Sequence, residues 1–419
     1  MEDPNRRFRL MARGLRVLEK SNLQRRCVWL LMGASLVARG QVSPVADAKK
    51  DLDSCRVHVV RGLPGSHEFG SDFMEAMASD PGGRARDRNT VWGLTADLSS
   101  KVPAQDRAMY ISKSTNGGKT WTQVARVGAE YFDADMGEGE RNGLTVSPGG
   151  SEFVITTQRG AFQVLTQTGT VRAIAGPRVS QPDPMVIIPK KVGDPVTANV
   201  VKMTADGKHL IVGYGYFDLR PQILTYRKGR DGAWMQDGRL PDLPTDLDLL
   251  SMEFGARSLY VGTGDQAFRL KTGAKEWTRI DGVGDDSAVQ GISTVGGPHL
   301  AACWGVYNPI SADEVERVTQ ANFLLHRDED EAGSNIRAFS VGVDPARPNH
   351  EIVTSLTGVY TSSDRGLHWK RLNDLPDGEF RSAHFNAEDG TVIVSGIAGT
   401  FLANPFSARC AVHLSTRAR

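Results

Sequence analysis

Cysteine is scarce: there are four in 419 residues, and no two have the close spacing that metal sites and redox motifs use. Phosphate-binding glycine loops, H-E-x-x-H and G-x-S-x-G are missing too. On motif grounds this removes P-loop nucleotide hydrolysis, zincin proteolysis and α/β-hydrolase chemistry. The nine histidines are scattered, with His384 and His413 in strand-like stretches, so nothing asks for a metal or a cofactor. An excess of charge of one sign is also lacking. The formal net charge is +1, and residues 1–48 alone hold nine Lys/Arg against four Asp/Glu, about +5, which leaves about −4 for the remainder. An acidic folded part is unsuited to general nucleic-acid binding.

Long apolar runs are limited to one place. Arg25 and Arg26 precede the stretch Cys27 to Ala38, CVWLLMGASLVA, and small-residue sites follow at Ala38-Arg39-Gly40 and Ala46-Asp47-Ala48. About twelve apolar residues are too few to span a bilayer but suit the core of a signal peptide. The Arg-Arg pair also permits a twin-arginine signal, and the length of the leading segment allows a start at Met11. The expectation is a targeting segment over 1–48, a single domain over 49–419, and an exported protein, periplasmic or extracellular, with no transmembrane segment once the signal is removed.

Glycine, in contrast, is plentiful: 45 residues without a G-X-Y period, as an all-β chain with many tight turns needs. A pattern of apolar strand, Gly/Asp/Pro turn and second strand rich in Val, Ile or Thr recurs in SPGGSEFVIT (147–156), ADGKHLIVG (205–213), GARSLYVG (255–262) and AEDGTVIVSG (387–396). Each reads as a hairpin. The repeat of roughly 40–50 residues is that of a β-propeller blade. Blades are expected at about 73–127, 142–175, 199–238, 249–281, 289–327, 336–373 and 380–406. Blade five lacks a recognisable fourth strand and is read as carrying an insertion, WGVYNPISADEVERVTQ, so six or eight blades remain open. Blade seven supplies three strands only. The stretch 56–61 is expected to add the fourth and close a seven-bladed ring; a β-sandwich is the alternative.

One short pattern occurs twice. Ser114-Thr115-Asn116-Gly117-Gly118-Lys119-Thr120-Trp121 reads S-x-N-x-G-x-T-W, and Ser362-Ser363-Asp364-Arg365-Gly366-Leu367-His368-Trp369, about 250 residues on, reads S-x-D-x-G-x-x-W. An Asn or Asp side chain can hold backbone amides two residues ahead, and Gly accepts φ > 0. Trp234 and Trp277 sit where degenerate copies would place their ring. These residues resemble the Asp-box, or BNR repeat, of sialidases, xyloglucan-active hydrolases, sortilin-type receptor domains and photosystem assembly-factor propellers. The resemblance implies a β-propeller in which each box closes the turn between the third and fourth strands of a blade, built on Ser114, Asn116, Gly118, Trp121, Ser362, Asp364, Gly366 and Trp369. It implies little about activity, because that fold hosts hydrolases and pure binding domains alike.

In such a blade the turns between first and second and between third and fourth strands share one face. The remaining loops share the other, and there the loops are acidic and aromatic. The ligand-binding candidates on it are Asp133, Asp135, Glu138, Glu140, Tyr216, Asp218, Asp248, Trp304 and Tyr307, with Tyr131, Tyr214 and Phe217 nearby. Rings stacking on sugars and carboxylates bonding hydroxyls would make a surface for a glycan or a protein partner. The plain structural reading is that acidic loops confer solubility and aromatics fill seams. Hydrolysis by a carboxylate pair, sialidase- or xyloglucanase-like, is the alternative function. No catalytic residue can be assigned: the Arg-Ile-Pro motif of sialidases is missing, its nearest string being Arg239-Leu240-Pro241, and the length suffices for one propeller rather than two.

Ring closure brings the two ends of the folded part together, with Cys55 at one margin of the closing blade and Cys410 at the other. In an oxidising compartment the pair is expected to form a disulfide, leaving Cys303 as a buried core thiol. Non-reducing peptide mapping of exported protein should recover Cys55 and Cys410 as one linked peptide; recovery of both as free thiols rules the bond out.

Overall fold

The computed structural model describes residues 57–65, 72–80, 89–132, 143–180, 190–215, 220–284, 287–303, 305–318, 338–386 and 389–406. Within them the strands form seven antiparallel sheets of four. After β1 (His58–Val59), blade one comprises β2 (Ala76–Ser79), β3 (Val91–Ala96), β4 (Ala108–Ser114) and β5 (Thr122–Gly128). Blade two is β6 (Leu144–Val146), β7 (Glu152–Thr157), β8 (Gly160–Leu165) and β9 (Val171–Ile174). Blade three is β10 (Ala198–Met203), β11 (His209–Tyr214), β12 (Gln222–Lys228) and β13 (Trp234–Arg239). Blade four is β14 (Leu249–Gly255), β15 (Ser258–Thr263), β16 (Ala267–Lys271) and β17 (Thr278–Arg279). Blade five is β18 (Val289–Ser293), β19 (His299–Ala302), β20 (Gly305–Pro309) and β21 (Val315–Arg317). Blade six is β22 (Ala338–Val343), β23 (Glu351–Ser355), β24 (Val359–Ser362) and β25 (Lys370–Arg371). Blade seven is β26 (Phe380–Phe385), β27 (Val392–Gly396) and β28 (Gly399–Ala403), completed by β1. The chain is a seven-bladed β-propeller.

Closure runs as the sequence suggests. His58 pairs with Leu402 and Val59 with Phe401, and the Val60 N–H donates to Thr400 O at 2.8 Å. The segment that follows then clamps blade seven to blade one: Met74 N–H donates to Ser395 Oγ at 2.7 Å. Val60, Leu63 and Met74 form a small buried cluster at this joint. A two-residue strand stabilises little by itself; it pairs the outer edge of β28 and gives blade seven the fourth strand that the other blades have.

Blade five differs from the sequence reading. The stretch taken as an insertion is the third strand β20, a turn over 310–314, and the missing fourth strand β21. Asn308-Pro309-Ile310-Ser311 carries breaker signals that normally argue against a strand interior. Here Pro309 is the last residue of β20, opposite Val315, where a proline does not interrupt the ladder.

The core lies between blades rather than within one. Ile352 and Val359 of blade six pack with Phe380, Val392, Val394 and Phe401 of blade seven, and Tyr260 and Ala267 of blade four pack with Leu300 and Tyr307 of blade five. Strand interiors are buried on both faces, so β3, β15, β27 and β28 read as continuous apolar or small-residue runs, as do β7 and β23 after their first residues, Glu152 and Glu351.

Near the axis the spacing is tighter. In blades three to seven the inner strand carries a bulge at its second residue: Asn199, Leu250, Gln290, Phe339 and Arg381. The bulge bends the strand, and the residue after it faces the inner strand of the next blade. Ser251 Oγ donates to Val289 O at 2.9 Å, and Ser382 Oγ reaches Met74 O at 3.5 Å. At Gly291 a Cβ would stand 2.8 Å from both Phe339 O and Ser340 Cα, backbone atoms that cannot turn aside. Gly291→Val should therefore destabilise the ring by about 1–3 kcal/mol, as overpacking does. Thermal melts compared with Gly284→Ala, where the atom nearest the added carbon is the Tyr307 hydroxyl at 4.0 Å and φ lies outside the left-handed region, check this; an unchanged Gly291→Val melt would refute the tight inner seam.

Candidate binding face and the turns opposite it

The two Ser-x-Asn/Asp turns are built alike. In the first, Ser114 Oγ accepts from Gly118 N–H at 2.8 Å and Asn116 N–H at 3.4 Å, while Asn116 Oδ1 accepts from Thr120 N–H at 2.9 Å. In the second, Ser362 Oγ accepts from Gly366 N–H at 2.8 Å and Asp364 N–H at 3.3 Å, and Asp364 Oδ1 accepts from His368 N–H at 2.9 Å. The turn needs φ of 91° at Gly118 and 74° at Gly366, a region closed to most side chains. Desolvation pushes the Asp364 carboxyl up, but the bonds it accepts from the His368 amide, the His368 ring and the Ser362 hydroxyl together hold it below the usual range.

The tryptophans are not equivalent. Trp369 is buried with the blade five and six core. Trp121 is half-buried, donates from Nε1 to Gly118 O at 2.9 Å, and only borders the clusters at the closing joint. Trp234 and Trp277 do stand at the entry of fourth strands, both buried.

These turns share a face with the turns between the first and second strands of the same blades and are bonded to them. Gly117 N–H donates to Asn89 O at 2.9 Å, and Arg365 N–H to Asn349 O at 3.1 Å. Gly149 N–H, on blade two, donates to Asp80 Oδ2 of blade one at 2.9 Å. Blade two also reaches the turn between the third and fourth strands of blade three: Gln163 Nε2 donates to Gly232 O at 2.9 Å and to Glu152 Oε2 at 2.5 Å, and Lys228 Nζ meets Glu152 Oε1 at 2.6 Å.

The opposite face carries longer loops. Of the candidate residues expected there, Asp133, Asp135, Glu138, Glu140, Tyr216, Asp218 and Trp304, with Phe217, lie outside the described residues. Cys55 and Cys410 do as well. Tyr307 is not in a loop; it is buried in β20 at the joint of blades four and five. Tyr214 likewise ends β11 and is buried, its hydroxyl 2.8 Å from that of Tyr226, which donates to Ala175 O at 2.9 Å. Burial pushes the Tyr226 phenol up to about 12 and that of Tyr214 higher still. Tyr131 is half-buried, edge-on to Phe162. Asp248 is on this side, directly before β14, and is buried too. Tyr214 and Tyr307 read as loop residues in the sequence, whereas β11 and β20 run further and take their side chains into the blade seams; Asp248 stays in its loop and is buried there.

What the described part of this face does expose is carboxylate. Asp246 and Asp377 are 82% and 88% exposed, near Arg220 and Arg371 respectively. Asp242 pairs with Arg239 across 2.5 Å. Between blades two and three the loop is pinned by Lys190, whose Nζ donates to Gln158 O at 2.8 Å, Pro195 O at 3.0 Å and Thr197 Oγ at 2.6 Å. Val192 stands 67% exposed beside it. Along the channel wall, Lys202 and Glu253 pair at 2.6 Å across blades three and four, and on blade seven burial pushes the His384 imidazole down to about 4.

No protein-family model matches the chain, and no curated protein matches it. Solved structures do match in fold. The chain is similar to PorZ, an essential surface component of the type-IX secretion system of Porphyromonas gingivalis, at 13% identity and TM-score 0.51 over 83% of this chain and 48% of that one. It is similar to the extracellular domain of BT4673, a candidate hybrid two-component system of B. thetaiotaomicron, at 10% identity and TM-score 0.51, covering 84% of this chain and 40% of that one. The WD40 repeats of RRP9 match at 10% identity and TM-score 0.52 over 84% of this chain and 97% of theirs. The chain thus spans less than half of the first two structures. Among the described residues no helix is long and apolar enough to cross a membrane.

The burial difference between the two tryptophans sets an expectation. Trp369→Ala should cost about 3–5 kcal/mol, the range for large aromatic truncations in cores, and Trp121→Ala clearly less. Denaturant unfolding of both variants measures it, and equal losses would contradict the difference in packing.

Proposed function

We propose that this propeller is an exported binding or scaffolding module that engages a glycan or a protein partner on its acidic loop face. The observation that carries the reading is the division of labour between the two faces. One face spends its turns on bonds between neighbouring blades; the other presents long inter-blade loops with exposed carboxylates at Asp242, Asp246 and Asp377. Loops held on a rigid ring are where binding residues concentrate. The two Ser-x-Asn/Asp turns, alike bond for bond, support membership of the Asp-box propellers. The apolar stretch 27–38 supports export, as do neighbours described as surface or extracellular components.

Glycan-array screening of the purified protein, followed by crosslinking in the envelope of the exporting host, tests this. Reversing charge with Asp246→Lys and Asp377→Lys together should weaken the captured interaction about tenfold or more, whereas Lys119→Glu, on the opposite face, should leave it unchanged. Equal loss in both variants would sink the assignment of the face. Turnover of chromogenic aryl glycosides would replace binding with hydrolysis.

A further inference from the structure

The joint between blades five and six contains a buried polar chain that the folding of the second Ser-x-Asp turn does not itself require. His299 begins β19, Asn308 is on β20, and Glu351 begins β23; all three are buried. Asn308 Nδ2 donates to Arg365 O at 2.7 Å and to Glu351 Oε1 and Oε2 at 3.2 and 3.3 Å. Its Oδ1 is therefore the atom that meets His299 Nδ1 at 3.1 Å; the reverse amide orientation would set that oxygen against a carboxylate and a carbonyl. On the other side of the ring, His299 Nε2 lies 3.1 Å from Val295 O. Both ring nitrogens thus face acceptors, and both bonds form only if both nitrogens carry hydrogen. The counter-charge is Glu351, 3.6 Å from Nδ1.

Neither partner is tolerated as a lone ion here. Burial pushes Glu351 up, to about 7, with Asp364 adding to the rise while Asn308 and Arg365 oppose it. Burial likewise pushes His299 down, against the bonds to Asn308 and Val295, and Arg365 lowers it further. The Arg365 guanidinium is itself bonded to Asn349 Oδ1 at 2.8 Å. In the turn between β22 and β23, Asp344 is engaged by Arg347 at 2.8 Å with His350 at 3.9 Å. The chain holds the second turn in place, because Asn308 grips Arg365, a non-glycine residue at φ 58°. At the joint of blades two and three a related arrangement joins Gln163 to the Gly232 carbonyl, but there the carboxylate, Glu152, lies on the donor's own blade and Lys228 of blade three neutralises it.

We propose that the joint between blades five and six is a proton-operated latch, in which a single proton shared between His299 and Glu351 keeps the second turn docked on blade five. Losing it leaves a buried carboxylate near Asp364; gaining another leaves a buried imidazolium with no counter-ion. The pair holds one proton when folded, as the separated groups do in the unfolded chain between about pH 4.3 and 6.5. Docking is unaffected in that window. Above it the unfolded chain sheds the proton first, so the joint weakens as pH rises towards and past about 7. At the acid end the unfolded chain binds the second proton first, and the joint weakens again.

Hydrogen exchange of the full chain, corrected for intrinsic rates, reads this directly. Protection of 362–369 relative to 229–233, whose joint uses lysine, should be highest in mildly acid buffer and drop several-fold above neutrality. The drop should vanish in Glu351→Gln, which keeps an acceptor for Asn308 but cannot titrate. If that variant does not fold, the ¹⁵N shifts of His299 in the unaltered protein, assigned with His299→Gln, should show both nitrogens protonated at about pH 6. A neutral His299 there, or relative protection that ignores pH, overturns the latch.

Discussion

A ring of sheets is only as stable as its last joint. In this chain that joint is made by two residues, His58 and Val59, pairing with Leu402 and Phe401, and by the segment after them that bonds across to Ser395 and Thr400. Without it, β28 would be an open edge and the cluster of Val60, Leu63 and Met74 would have no cover. Each other blade is closed by its own consecutive hairpins, whose contacts are local in sequence. Closure couples residues more than 300 positions apart, as in the Met74–Ser395 bond, so the entropy of bringing the ends together opposes this joint more than any other.

Closure also fixes how near the inner strands come to one another. Bulges at the second residue of five of those strands turn the following side chain onto the neighbouring strand, and that residue is serine or glycine in four of the five, with Val200 in the fifth. The larger polar groups at this layer must then lie along the wall, as Lys202 and Glu253 do by pairing.

Much of this was legible in the sequence, for a physical reason. Hairpin turns and the Ser-x-Asn/Asp pattern are local, and each blade repeats them, so the blade boundaries and the role of the stray strand at 56–61 could be read before any coordinates. The face opposite was less legible. Tyr307, Tyr214 and Asp248 look like loop residues beside Gly, Pro and Asp, yet they are buried where strands meet. Burial between blades depends on partners far away in sequence, and no local pattern reports it. Blade five was misread on the same ground: Pro309 signals a break, but only the position of Val315 opposite it shows that the strand has already ended. The pairing of Gln163 with Gly232, and of Asn308 with Arg365, left no signal at all, since a buried amide and an exposed one are the same letter.

Those two pairings make the clearest case for how charge is managed inside this fold. Both joints need a donor that reaches from a third strand to a carbonyl in the next blade, and in both the same amide also bonds a buried carboxylate. A buried carboxylate must be balanced. Lysine balances it with a charge that persists throughout the physiological range. Histidine balances it with one that does not. The two joints share the amide donor and the carbonyl it reaches, but the carboxylate lies on the donor's own blade in one, Glu152, and on the next blade in the other, Glu351; lysine stands against the first and histidine against the second. A structural device for holding blades together has thereby acquired, in one of its two copies, a dependence on the surrounding solution that the other copy lacks.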